Sequence, residues 1–101
     1  MRIKEGTDLR GLQTPIVIAL SVADELWRKY GIEEGATVTS GTDGKHKEGS
    51  LHYKGLAVDL RTRYFSNEIC NMVANELRAT LPDDFDVVLE ATHIHLEYDK
   101  K

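Results

Sequence analysis

Phe85-Asp86-Val87-Val88-Leu89-Glu90 and His93-Ile94-His95-Leu96-Glu97-Tyr98, separated only by Ala91-Thr92, decide the fold of this chain. In the first run Phe85, Val87 and Leu89 alternate with Asp86, Val88 and Glu90. In the second, His93, His95 and Glu97 alternate with Ile94, Leu96 and Tyr98. Side chains of a strand return to the same face every two residues, so the pattern predicts two half-buried strands. The last has one apolar face for the core and one polar face, on which His93, His95 and Glu97 lie together.

Working outward, Ser66 is placed to cap a helix whose apolar face is Ile69, Met72, Val73, Leu77 and Leu81, with Pro82 ending it. Leu56 to Leu60 reads as an extended apolar segment, and Ala36 to Ser40, rich in β-branched residues, as a short strand. A first helix opens at Thr14-Pro15, with Thr14 as N-cap and Pro15 at the first helical position. Its stripe is Ile16, Leu20, Ala23, Trp27 and Tyr30, and Gly31 fits the left-handed position beyond its end. Trp27 and Tyr30 continue the stripe and are read as core. The order helix, strand, strand, helix, strand, strand implies an α+β fold, a small, mostly antiparallel sheet with helices packed on one side. Gly41 to Ser50 holds three glycines and is read as a loop that forms a wall of any site around His52.

Length and composition bound the function. The 101 residues suit a single domain spanning 1–101, and 41% apolar with 30% charged residues reads as soluble and globular. A net charge of −4, with scattered basic residues, gives no footprint for nucleic acid. Cys70 is the only cysteine, which excludes an internal disulfide and a four-thiolate metal site; its expected place is the buried side of the second helix. The longest apolar run, Ile16 to Leu20, is too short for membrane insertion, and Met1 to Asp8 lacks the apolar stretch of a signal peptide. The expectation is cytoplasmic synthesis, with any export supplied from elsewhere.

The chemistry concentrates in His52, Asp59 and His95. His52 and Asp59 are seven apart, which puts them on opposite faces of a continuous strand and on one face of a helix. Gly55 permits a third arrangement, a bend between a loop histidine and a strand aspartate. Asp59 lies between Val58 and Leu60, where an unpaired buried carboxylate is costly. Arg61 or Arg63 could satisfy it, and so could a metal ion that also takes His52. His93 and His95 read either as ligands or as polar residues of an exposed strand. Two imidazoles and a carboxylate are a set that a catalytic zinc accepts, with the fourth position left to water. Such an ion lowers the pKa of its water toward about 7, so the set points to a hydrolase.

Ser50-x-His52-x-x-Gly55-x-Ala57-x-Asp59 followed by His93-x-His95 resembles the zinc D-Ala-D-Ala carboxypeptidase family, which includes phage L-alanoyl-D-glutamate endopeptidases and vancomycin-resistance dipeptidases. The resemblance spans roughly Val38 to Tyr98. It implies the compact α+β fold shared with the hedgehog signalling domain. It implies Zn2+ on His52, Asp59 and His95, with His93 not a ligand but a residue that either supports the ligands or acts on the transition state, and Ser50 positioning substrate or the first ligand. It implies peptidoglycan stem peptide as substrate, and a phage-associated enzyme released to the cell wall or carried in a phage particle. The chain departs from the family pattern twice. Thr92 stands where members carry the carboxylate that acts as general base; Glu90 is the first candidate to replace it, given a tight turn at Ala91-Thr92, and Glu97 the second. Lys45 stands in for an arginine that holds the substrate carboxylate. The competing reading is a non-catalytic zinc-binding structural or wall-recognition module.

Overall fold

The computed structural model describes residues 1–44 and 46–100. In chain order its elements are β1 (Arg2–Ile3), α1 (Thr14–Lys29), β2 (Thr37–Ser40), a 3₁₀ turn (Leu51–Lys54), β3 (Ala57–Arg61), α2 (Asn67–Thr80), β4 (Phe85–Leu89) and β5 (His93–Tyr98). The strands form one sheet in the order β1-β2-β3-β5-β4, antiparallel throughout except for the parallel pair β1–β2. The fold is therefore α+β with a mostly antiparallel sheet, as the element order implies.

Both alternating runs are strands and pair with each other, Phe85 opposite Tyr98 and Leu89 opposite Ile94. The hairpin closes where the Glu90 N–H donates to the His93 carbonyl at 2.8 Å, leaving Ala91-Thr92 as a tight turn. Apolar side chains of the sheet (Val38, Val58, Leu60, Val87, Ile94, Leu96) join Ile16, Leu20, Ala23 and Trp27 of α1 and Val73, Ala74 and Leu77 of α2 in one buried cluster. Both helices thus cover the same sheet face, and the polar face is left for the site. Trp27 is fully buried and its indole N–H donates to the Arg61 carbonyl at 3.1 Å. Tyr30 packs at the edge of this core while its hydroxyl donates to Glu76 on α2 at 2.6 Å. Cys70 is buried on α2. Among the described residues no helix is long and apolar enough to cross a membrane.

The sequence expectations shift in four places. The N-cap of α1 is Gln13, not Thr14; no side chain caps it, and the chain enters through a backbone bond from the Gln13 N–H to Gly55. Ser66 does cap α2, accepting the Ile69 N–H at 3.2 Å, but Met72 lies outside the apolar face and is 44% exposed. Cys70 and Ala74 take the buried positions instead. The middle strands begin one residue later than read, at Thr37 and Ala57. Finally, β1 has no apolar run to announce it; its two residues are held by bonds from Arg2 N–H to Ala36 and Lys4 N–H to Val38.

Candidate metal centre

His52, Asp59 and His95 meet on the polar face of the sheet. Asp59 and His95 are directly opposed on β3 and β5, so the register alone brings their side chains together. His52 arrives from the 3₁₀ turn. Ser50 caps that turn through its hydroxyl, which accepts the His52 N–H at 3.2 Å, and Gly55 ends it with a left-handed φ of 73°. The bend permitted by Gly55 is the arrangement the chain adopts. It points a buried loop histidine, 3% exposed, at a strand aspartate.

Three atoms converge. His95 Nδ1 lies 3.0 Å from Asp59 Oδ1, His52 Nε2 lies 3.3 Å from the same oxygen, and the two nitrogens are 3.3 Å apart. The far nitrogen of each ring is occupied. His52 Nδ1 is 2.8 Å from the Gly41 carbonyl, an acceptor, so that nitrogen carries the proton. His95 Nε2 is 2.7 Å from the Glu97 carboxylate and donates to it. In the neutral tautomers the converging atoms are therefore three lone pairs with no hydrogen among them. A cation must sit there, either a second proton on His95 or a metal ion. The electrostatics agree. Burial works to raise Asp59, but the close His52 and His95 imidazoles outweigh it and hold the carboxyl well below the usual carboxylate range, as they do when a cation occupies the group. The bond to Asp59, opposed by burial and reinforced by Glu97, pushes the His95 imidazole up to about 9. The group can hold a metal ion through one atom from each of its three residues.

His93 stands beside the group. It lies on the same strand face as His95, with Nε2 3.6 Å from Asp59 Oδ1, and Thr92 Oγ1 is 3.0 Å from its Nδ1. The residue at the expected base position thus fixes a ring. Glu90 is opposite His93 across the tight turn and shares its face. Its side chain is exposed and, among the described residues, makes no hydrogen bond or ion pair. Lys45 lies outside the described residues. Arg61 and Arg63 do not pair with Asp59.

Two features escaped the sequence reading. His46, from the glycine-rich loop, stacks flat on His52, with ring centroids 3.8 Å apart and planes within 2°. Its Nε2 is 3.0 Å from Ser40 Oγ and 2.9 Å from the Asp43 carbonyl. The same loop supplies Gly41, whose own N–H donates to Asp43 Oδ1 at 2.9 Å and whose position admits no side chain against the Asp8 carbonyl. Glu97 is the second feature. It figured as a candidate proton acceptor, and the structure commits it to His95; it also belongs to an acidic group with Asp86 and Asp99. For His46 the only signal is its closeness in sequence to His52, whereas the two-residue period of the last strand already sets Glu97 on the face of His95. Comparison of the chain with protein-family models and with curated proteins finds no match.

Proposed function

We propose that the protein is a zinc-dependent peptidase that hydrolyses peptidoglycan stem peptides. One observation carries this reading, the triangle of His52 Nε2, Asp59 Oδ1 and His95 Nδ1 with sides of 3.3, 3.0 and 3.3 Å. Donors about 2.0–2.1 Å from a tetrahedral zinc stand roughly 3.3 Å apart, so the separations match those such an ion needs. Each imidazole is held from behind, His95 by Glu97 and His52 by the Gly41 carbonyl, which is the outer arrangement that fixes zinc-ligating histidines. Three protein ligands of this kind leave one position open, the pattern of catalytic sites.

Zinc in this position supplies Lewis acidity to a carbonyl and brings the pKa of water toward about 7. The remaining work falls to the chain. His93, its ring fixed by Thr92, stands at the rim of the triangle and donates from Nε2 to the oxygen of the scissile carbonyl. Glu90, paired with His93 across the turn, offers an exposed carboxylate as proton acceptor and returns the proton to the leaving amine. The substrate class comes from the sequence pattern around Ser50 to Asp59 and His93 to His95, as does release to the cell wall by a phage or prophage. The test is to incubate zinc-loaded protein with purified peptidoglycan and analyse the fragments by mass spectrometry. New amine ends are expected and should be lost in His95→Ala. Their absence, or unchanged release in that variant, refutes the proposal.

A second reading has its own observation. The Glu90 side chain makes no bond to the group and Thr92 is engaged with His93, so the zinc would be structural and the domain a wall-recognition module. Turnover that disappears in Glu90→Gln rules this reading out.

A further inference from the structure

His46 has no part in the hydrolysis proposed above, yet it is built closely into the metal centre. It is half-buried and lies face to face on His52, with ring centroids 3.8 Å apart and planes within 2°. Three sets of contacts fix it there. Its Nε2 is 2.9 Å from the Asp43 carbonyl, which can only accept, so that nitrogen carries the proton; Ser40 Oγ, 3.0 Å away, shares it. Its backbone N–H donates to the Tyr53 hydroxyl at 2.6 Å, and that hydroxyl donates in turn to the His46 carbonyl at 3.0 Å. The Tyr53 ring meets the His46 ring edge-on, with centroids 5.6 Å apart. Tyr53 follows His52 in the 3₁₀ turn, so the turn grips the loop through one residue while the loop covers the ring of the residue before it.

One hydrogen bond does not aim an imidazole. The torsion that turns a histidine ring about its Cβ–Cγ bond is broad, with no sharp well. The bond from His52 Nδ1 to the Gly41 carbonyl at 2.8 Å fixes one point of the ring and leaves rotation about that point. A flat surface against the ring face removes the rotation. The plane then decides where Nε2 points, which is 3.3 Å from both Asp59 Oδ1 and His95 Nδ1. The His95 ring does not supply that surface, since it meets His52 at 54°. His46 also steadies the acceptor, because its bond to the Asp43 carbonyl ties down the residue whose Oδ1 takes the Gly41 N–H at 2.9 Å.

Building on the zinc site of the proposed peptidase, we infer that His46 is a positioning residue: its stacked ring holds the His52 imidazole in the plane that directs Nε2 toward Asp59 and His95. It acts through His52 and is not itself a ligand, since its own Nε2 is protonated and engaged with Asp43 and Ser40.

The test does not depend on turnover. Zinc affinity is measured by competition with a chromophoric chelator in wild type, His46→Phe, His46→Gln and His46→Ala. Phenylalanine keeps the flat face and loses the N–H, whereas glutamine keeps a donor and loses the face. His46→Ala and His46→Gln should each lose about ten-fold or more, the cost of removing an outer partner of a zinc ligand, and His46→Phe should recover most of it. Cobalt-loaded protein gives a readout that stability alone does not move. The visible absorption of the ion follows its coordination geometry, and it should shift in His46→Ala and His46→Gln and match wild type in His46→Phe. In wild type itself the ring protons of His46 and His52 should show mutual nuclear Overhauser effects. Affinity within two-fold of wild type in His46→Ala, a phenylalanine variant that binds no better than the glutamine one, or absence of ring-to-ring contact in wild type overturns the inference. Failure of the peptidase reading shows itself separately, as zinc bound without hydrolysis or as no zinc bound by wild type. In the latter case metal-free protein decides: imidazole nitrogen shifts should show His52 protonated on Nδ1 in wild type and His46→Phe but a mixture of tautomers in His46→Ala, and the same tautomer in all three overturns the inference.

Discussion

Glu97→Gln separates the two roles that Glu97 can play. In the structure its carboxylate accepts the His95 Nε2 proton at 2.7 Å while His95 Nδ1 faces Asp59 and His52. The contact is a charge-assisted hydrogen bond, and it decides which imidazole nitrogen presents a lone pair towards Asp59 and His52, where the proposed metal would sit. Replacing the carboxylate with an amide removes the charge and lets the group offer N–H to the ring, which stabilises the wrong tautomer. Loss of such an outer partner costs about 10- to 100-fold in metal affinity. That range corresponds to about 1.4–2.8 kcal/mol. Glu97 is only 24% exposed, so solvent compensates little and the upper half of the range applies. The assay is a competition titration of zinc against a chromophoric chelator, run beside wild type at fixed pH and ionic strength. A proton acceptor with no orienting role would give the opposite pattern, with zinc affinity intact and turnover lost. Zinc affinity within two-fold of wild type would refute the assignment of Glu97 as the residue that orients His95.

Two further outcomes follow from the same geometry. With His95 pushed up to about 9 from an ordinary 6.5, its contribution to the stability of the metal-free protein is fully present below pH 6.5 and lost as the pH rises through 9. The loss should be about 2 kcal/mol, less than the full shift implies because 20% of the side chain remains in solvent. Urea unfolding of chelator-treated protein between pH 6 and 9.5 should show it; zinc loading or His95→Gln should flatten it, and an equal slope in all three samples would contradict the assignment. Gly55→Ala should cost about 2–4 kcal/mol. Its φ is 73° and an added methyl collides with the Gly11 carbonyl, so thermal melting should fall and zinc affinity with it, because the same turn aims His52. A variant as stable as wild type would show that the turn tolerates a different path.

The parts legible in the sequence are those governed by short periods. Alternation over 85–90 and 93–98 announces β4 and β5 because a strand returns to its face every two residues. Once β3 and β5 pair, Asp59 and His95 oppose each other by register. Gly55 announces the bend that brings in His52, since a left-handed residue lets a 3₁₀ turn stop abruptly before a strand. Where no period operates, little can be read. The two residues of β1 carry no apolar pattern, and Met72 sits on a helix whose apolar stripe is set by which neighbours it meets. The finer features of the site depend on contacts across the fold. The stacking of His46 on His52 requires the glycine-rich loop to curl back over the turn it leads into, and Gly41 can accept the His52 proton only because Asp43 and the Asp8 backbone hold it in place.

A motif can list donors, but a metal site needs each imidazole turned so that one chosen nitrogen is unprotonated. In this chain that choice is made by a backbone carbonyl eleven residues before His52 and by a carboxylate two residues after His95. Neither acceptor is distinguished by residue type. Backbone carbonyls occur at every residue, and Glu97 is one of several acidic residues along the last two strands. What distinguishes them is placement, supplied in one case by a glycine that fits against Asp8 and in the other by the two-residue period of β5. The ligand set is therefore written locally in the sequence, whereas the protonation pattern that makes it able to take a cation is written in the tertiary fold. For the same reason the proton acceptor that the proposed peptidase activity requires is to be sought among side chains on the polar face of the sheet, where Glu90 and His93 stand together, and not at a fixed distance in sequence from His95.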